Sequence, residues 1–181
     1  MLSNIPSEAI FGALIAAFAL AALSAVFGVV WIAIRAKKSG ARYLKRMLIL
    51  LLSAVIVAAA SWLLNFGWLR FFLTLFLVPF THGIAFLLTN VLLVRHFDDS
   101  RNLRIMNLFF ILSYVLAYVF LPDGGDIGEM YFFFGLIESN FWSDIASYVA
   151  GTALGAHLLL FILQIVEVCQ IKKEKRTNEA L

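Results

Sequence analysis

An all-α integral membrane bundle is the fold class this sequence predicts, and three observations predict it. Hydrophobic residues make up 63% of the 181-residue chain and charged residues only 14%, against roughly 45–50% and ~25% in a soluble domain. Mean hydropathy is +0.96. The apolar residues also fall into five runs, each near the ~20 residues a helix needs to cross a ~30 Å hydrocarbon core. These figures exclude a soluble globular domain, a disordered chain and a disulfide scaffold. A single cysteine makes neither an internal disulfide nor a cysteine-only metal site.

The runs place five transmembrane helices at about 9–34, 47–64, 71–94, 105–121 and 145–166, in a single transmembrane domain over 1–181. The first holds no charge. Before it stand Glu8 and no Lys or Arg, so the positive region of a cleavable leader is missing and the run is expected to remain as a span. Asn65-Phe66-Gly67-Trp68-Leu69-Arg70 breaks the second span from the third with turn formers and an interfacial Trp. The third is interrupted only by Pro79, which is expected to kink it three residues before His82 by removing a backbone donor. An outer loop, 122–144, separates the fourth span from the fifth.

Charge orients the spans. Arg35, Lys37, Lys38, Arg42, Lys45 and Arg46 fill the first loop. Arg95, Arg101 and Arg104 lie in the third, and Lys172, Lys173, Lys175 and Arg176 in the tail. Thirteen of the fourteen basic residues are thereby on one side, with Arg70 alone on the other beside Asp123, Asp126, Glu129, Glu138 and Asp144. The positive-inside rule makes the basic side cytoplasmic, the N-terminus outer and the C-terminus inner. Five spans need opposite ends, so hydropathy and charge agree. The net charge of +3 then reads as a topology signal. No nucleic-acid partner is expected, and the first loop attracts anionic lipid heads at about 1 kcal/mol per basic residue at most.

Small residues mark where helices approach. Ala13, Ala17 and Ala21 recur at four-residue steps in the first span, and Ser147, Gly151 and Gly155 repeat the pattern in the fifth, with Ala54 and Ala58 in the second. Apolar burial drives little association in lipid, so close backbone packing carries it. Spans one, two and five are expected to pack closely. Spans three and four, rich in Phe and Leu, are expected to show more side chain to lipid. The alanine stripe serves an internal contact, a homo-oligomer or another subunit.

Polar groups at membrane depth are costly and are the default site candidates. In the third span these are Thr81, His82, Thr89 and Asn90, and in the fifth His157 and Gln164. Counted from Phe71 and Asp144 at ~1.5 Å per residue, His82 and His157 lie roughly 17 and 20 Å below the outer edge. Matched depth leaves three readings: hydrogen-bonded packing, a metal or haem b ligated from both sides, or a solute or proton path. In the outer loop, Asp123, Asp126 and Glu129 are expected to form a solvated acidic turn, their spacing not being that of an EF-hand calcium loop. Tyr131, Phe132, Phe133 and Phe134, with Trp142 further on, form an outer aromatic segment too short to span. It is expected to be re-entrant, interfacial or a docking patch.

No nucleophile elbow, zinc-binding His pair, Cys-x-x-Cys or phosphate loop appears. No catalytic residue is assigned and a non-enzymatic role is expected. The leading expectation is a multi-pass protein of the bacterial inner membrane that acts through helix packing and partner contacts. It would be a homo-oligomer, or a membrane subunit, immunity-type protein, sensor or effector beside another membrane or periplasmic subunit. No cofactor is expected on that reading. A small-solute transporter or channel using the polar faces of spans three and five is the first alternative. A haem or metal protein ligated by His82 and His157 is the second.

Overall fold

A computed structural model describes Phe27, Val30, Trp31, Ile34 and residues 43–124 and 128–179. Its elements run α1 (Leu44–Leu64), α2 (Trp68–Leu75), α3 (Val78–Leu93, continued by a 3-10 turn Val94–His96), α4 (Arg101–Phe120), β1 (Tyr131–Phe132), β2 (Ile137–Glu138) and α5 (Asn140–Glu179). The chain is mostly helical. Among the described residues four helices are long and apolar enough to cross a membrane: Leu44–Leu64, Val78–His96, Arg101–Phe120 and Asn140–Glu179. They correspond to the second to fifth expected spans. Ala13, Ala17 and Ala21 of the first lie outside the described residues, as does Asp126.

Side-chain pairs give the direction of each helix. Tyr43 meets Arg104, Met47 meets Asn107 and Ser61 meets Tyr118, so the strand of chain through α1 runs parallel to α4. Gln164 meets Asn107, His157 meets Ser113 and Glu167 meets Ser100, so α5 runs antiparallel to α4. Phe86 stacks on Tyr114 while His82 reaches Tyr118, so α3 is antiparallel to it as well. Up-and-down order follows. The segments around Tyr43, Ser100 and Lys175 gather at one end, and those around Arg70 and Asp123 at the other.

The core centres on α4, against expectation. Leu103, Phe110, Ile111, Tyr114 and Tyr118 are all buried there, against Met47, Leu51, Trp62 and Phe86 of its neighbours. The physical reason is that Asn107, Ser113, Tyr114 and Tyr118 give this helix a polar face. Burying polar groups among partners outweighs, in lipid, any gain from burying leucine.

The third expected span is corrected too. It breaks between α2 and α3, where Leu77 sits in the left-handed region at φ 56°, a conformation that costs a non-glycine residue about 1–2 kcal/mol. Pro79 does not kink a helix. It is in the first turn of α3, where its missing donor is not needed. His82 is therefore about one turn into α3, and the depth counted from Phe71 does not apply.

At ~1.5 Å per residue, the 40 residues of α5 measure about 60 Å, twice a bilayer core. Its charged end stays against the bundle through Ile171, which is buried, and through Lys175, whose Nζ donates to Asp99 at 2.9 Å. Ser100 caps α4 by accepting from Leu103 N at 3.1 Å and donates to Glu167 at 2.6 Å. The Lys175 hydrogen bond holds the Asp99 carboxyl below its ordinary 3.8, with His96 adding to it and partial burial opposing. A depressed carboxyl stabilises above its unfolded value, and that contribution disappears as pH falls through the folded one. The pair is exposed and water-screened, so it contributes at most about 1 kcal/mol. Lys175→Ala should leave the main unfolding transition in place and speed tryptic cleavage at Lys172 and Lys173. Acidification below pH 3.8 should loosen the native tail in the same way.

Candidate functional site

The two histidines meet. His157 is 4% exposed. Its Nδ1 lies 3.1 Å from the carbonyl of Phe110 and 3.2 Å from Ser113 Oγ, and its ring lies flat on Phe110 at 3.9 Å between centroids. A carbonyl only accepts, so Nδ1 carries the hydrogen and Nε2 keeps a free lone pair. His82, half-buried, places Nδ1 3.1 Å from the Tyr118 hydroxyl. The imidazole centroids are 5.0 Å apart at 87°, and the Tyr114 ring lies edge-on to His82 at 5.2 Å.

The ring nitrogens limit what the pair can hold. Each Nδ1 is already hydrogen-bonded, in His82 to the Tyr118 hydroxyl and in His157 to the Phe110 carbonyl. Only the two Nε2 atoms are left to meet an ion, and a zinc-type ion takes four ligands at about 2 Å. A haem needs the two rings end-on from opposite sides of a macrocycle, and rings already in contact leave no slot for it. His82 and His157 as arranged do not fit a haem, and by themselves they supply an ion with only two ligands. Among the described residues no cluster of three or more His, Cys, Asp or Glu side chains is placed to hold a metal.

The other polar candidates divide. Gln164 is fully buried and donates to Asn107 Oδ1 at 3.4 Å, while Asn107 reaches Met47 Sδ at 3.5 Å. Asn90 donates to the Phe86 carbonyl and Thr81 to those of Leu77 and Val78, so both serve their own helix. Thr89 is half-buried. Phe110 and Phe161 pack at the level between His157 and Gln164, 6.5 Å apart. Among the described residues no hydrogen bond joins the histidine cluster to the Asn107–Gln164 pair.

The Ser147–Gly151–Gly155 row of α5 is not in the observed core. Ala146, Ala150 and Ala153 are buried against α4, whereas Ser147, Gly151 and Gly155 are exposed one register away. A Cβ built on Gly151 or Gly155 meets nothing within 4 Å. The aromatic segment expected at the outer face is a short hairpin: Phe132 pairs with Ile137 and Tyr131 with Glu138. Phe133, Phe134 and Gly135 turn it at positive φ. Phe132 is buried, Phe133 packs on Phe120 at 5.9 Å, and Tyr131 donates to the Phe66 carbonyl at 2.9 Å. Trp142 begins α5 and is 54% exposed.

The strongest polar centre is one that sequence reasoning missed. Arg70 is fully buried. One guanidinium nitrogen donates to the Ser61 carbonyl. The other donates to those of Tyr118 and Leu121, at 3.1 and 2.6 Å. One side chain thus serves the carboxyl ends of two helices, α1 and α4, where orphan carbonyls gather. Asp123 is 1% exposed and is no solvated turn residue. Its carboxylate accepts from the backbone N–H of Gly67, Leu69 and Arg70 at 3.1, 3.0 and 2.8 Å, capping α2 from another part of the chain, and from Gly124. Those bonds commit it to the backbone, not to calcium. Burial pushes the Arg70 guanidinium down to about 10, the Asp123 charge pulling the other way, so it stays charged at neutral pH. Gly67 is obligatory here, since a Cβ would stand 2.6 Å from both Asp123 Oδ1 and the Gly124 carbonyl. A lone basic residue on the acidic side, three positions after a glycine, was the available signal.

Comparisons with protein-family models, curated proteins and solved structures find no match to this chain, so the reading of its role stands on the geometry alone.

Proposed function

We propose that this is a non-catalytic multi-pass protein of the bacterial inner membrane, with five spans, an outer N-terminus and an inner C-terminus. Its role is exercised through a helix partner seated on the Ser147–Gly151–Gly155 face of α5. The observation that carries the reading is that face: three small residues at four-residue spacing, exposed, with open space where a Cβ would be. Such faces let two backbones approach in lipid. Most of the interior polar side chains, by contrast, make at least one bond to one another or to backbone, as packing requires, although among the described residues Asn90 Oδ1 and Gln164 Oε1 have no partner. The gathering of the basic segments at one end of the bundle supports the orientation, and the aromatic hairpin with Trp142 is suited to the outer interface.

Cysteine cross-linking in native membranes tests this. With Cys169 changed to Ser, Gly155→Cys should give a cross-linked dimer or a discrete heterologous adduct, and Gly155→Leu should abolish the assembly. A cross-link between Gly155→Cys and Ala17→Cys within one chain would instead assign the face to the protein's own first span and sink the partner reading. In the same background, Lys173→Cys should be shielded from an impermeant thiol reagent in intact cells and Glu129→Cys labelled; the reverse pattern would invert the orientation.

A further inference from the structure

A cavity of about 400 Å³ opens beside the histidine cluster, walled by Trp62, Leu73, His82, Tyr118, Gly151 and Leu154 among others. We infer that it binds the head of a neutral, ring-bearing membrane lipid of the quinone type, with His82 hydrogen-bonding its carbonyl.

Four observations support this. The volume is at the small end of ligand sites, enough for one ring with its substituents and the start of a tail, and too little for a two-chain phospholipid. Among the described residues no Asp, Glu, Lys or Arg lines the cavity, so a phosphate or carboxylate head would be buried there without a counter-charge, which is prohibitive in low dielectric. The polar groups are few and convergent. His82 is held through Nδ1 by Tyr118, which fixes the ring and leaves its other nitrogen to meet a ligand oxygen. The surrounding surface is aromatic: Trp62 and Tyr118 lie 5.6 Å apart at 56°, and Tyr118 stacks with His82 at 22°. Such faces take a planar ring better than a branched chain.

Gly151 supplies the means of testing it. Its missing side chain leaves part of the wall open, and a Cβ there touches nothing within 4 Å. A larger residue fills the cavity without striking the protein. The cavity shares Ser147 and Gly151 with the proposed partner face, whereas Gly155, one turn further on, does not line it, so Gly155→Leu tests the partner alone.

The experiment is calorimetric titration of the purified, detergent-solubilised full chain with ubiquinone-1, and with 1-phenyldecane as a ring-and-tail probe that lacks a carbonyl. Saturable binding of ubiquinone-1 is expected. His82→Leu should weaken it tenfold or more. Gly151→Leu should abolish it, as should Ser147→Leu, a second way of filling the same space, while Gly155→Leu leaves it unchanged. Phenyldecane should bind at least tenfold more weakly than the quinone. Absence of saturable ubiquinone-1 binding would overturn the inference. So would binding indifferent to Gly151→Leu and Ser147→Leu, which marks partition into the micelle. Equal binding of phenyldecane, or indifference to His82→Leu, would reduce the site to an apolar groove and likewise overturn it.

Discussion

Replacing Arg70 with alanine should destabilise the bundle more than any other single substitution. The change strips hydrogen bonds from the carbonyls of Ser61, Tyr118 and Leu121 at once, and leaves the buried Asp123 carboxylate without its neighbouring positive charge, 4.0 Å away. Removing one partner of a buried ion pair costs about 3–5 kcal/mol in soluble proteins, and the freed carbonyls add to that. Arg70→Lys should recover little, because one ammonium on a flexible stem cannot fork to the ends of two helices. Asp123→Ala should cost a similar amount by uncapping α2, and Arg70→Ala with Asp123→Ala together should cost less than the sum. Thermal unfolding in detergent measures all four. Full tolerance of Arg70→Ala would mean that the helix ends find water or lipid headgroups instead.

The second large effect is expected at Phe110, and it reverses what residue type alone predicts. A phenylalanine in a Phe- and Leu-rich span reads as lipid-facing, and Gly151 as tightly packed. Phe110 is in fact 1% exposed, stacked on His157 at 3.9 Å and beside Phe86 at 5.6 Å. Phe110→Ala opens a cavity under the imidazole. The transfer part of such a loss shrinks in lipid, but the lost packing remains, about 3 kcal/mol by analogy with soluble cores. Gly151→Leu should leave the unfolding temperature of the isolated chain close to wild type. Measuring both variants in detergent decides the matter, and a more damaging Gly151→Leu would restore the reading from residue size.

Much of the architecture was legible because lipid makes it so. Helix length and the Asn65–Arg70 break are set by the thickness and polarity of the bilayer, and each left a mark in the sequence. The His82–His157 meeting was legible as two polar residues on spans running the same way, though the depth count that suggested it was mistaken. Leu77 adopts a left-handed conformation that no glycine announces, so the break before Pro79 was invisible and the proline was read as a kink. The role of α4 was missed because Asn107, Ser113, Tyr114 and Tyr118 are scattered among larger apolar neighbours, and only the seven- and four-residue steps from Asn107 to Tyr114 to Tyr118 mark one face. Asp123 and Arg70 were read as ordinary loop charges because 53 residues separate them, and a cap supplied from that distance leaves no local pattern.

The same separation sets an order of events during biogenesis. The chain emerges N-terminus first, at about 5–20 residues per second. Arg70 therefore reaches the membrane while Tyr118, Leu121 and Asp123 are still unsynthesised, and only the Ser61 carbonyl is at hand to receive it. For those seconds the corner between α1 and α3 lacks the α4 carbonyls and the Asp123 carboxylate that the Arg70 guanidinium meets in the complete fold. Arrival of the α4 end closes that corner, so the insertion of one helix becomes the event that completes another. A chain truncated before Leu121 should then be inserted yet remain open to the membrane's quality-control proteases, with the full-length chain escaping them once α4 is in place.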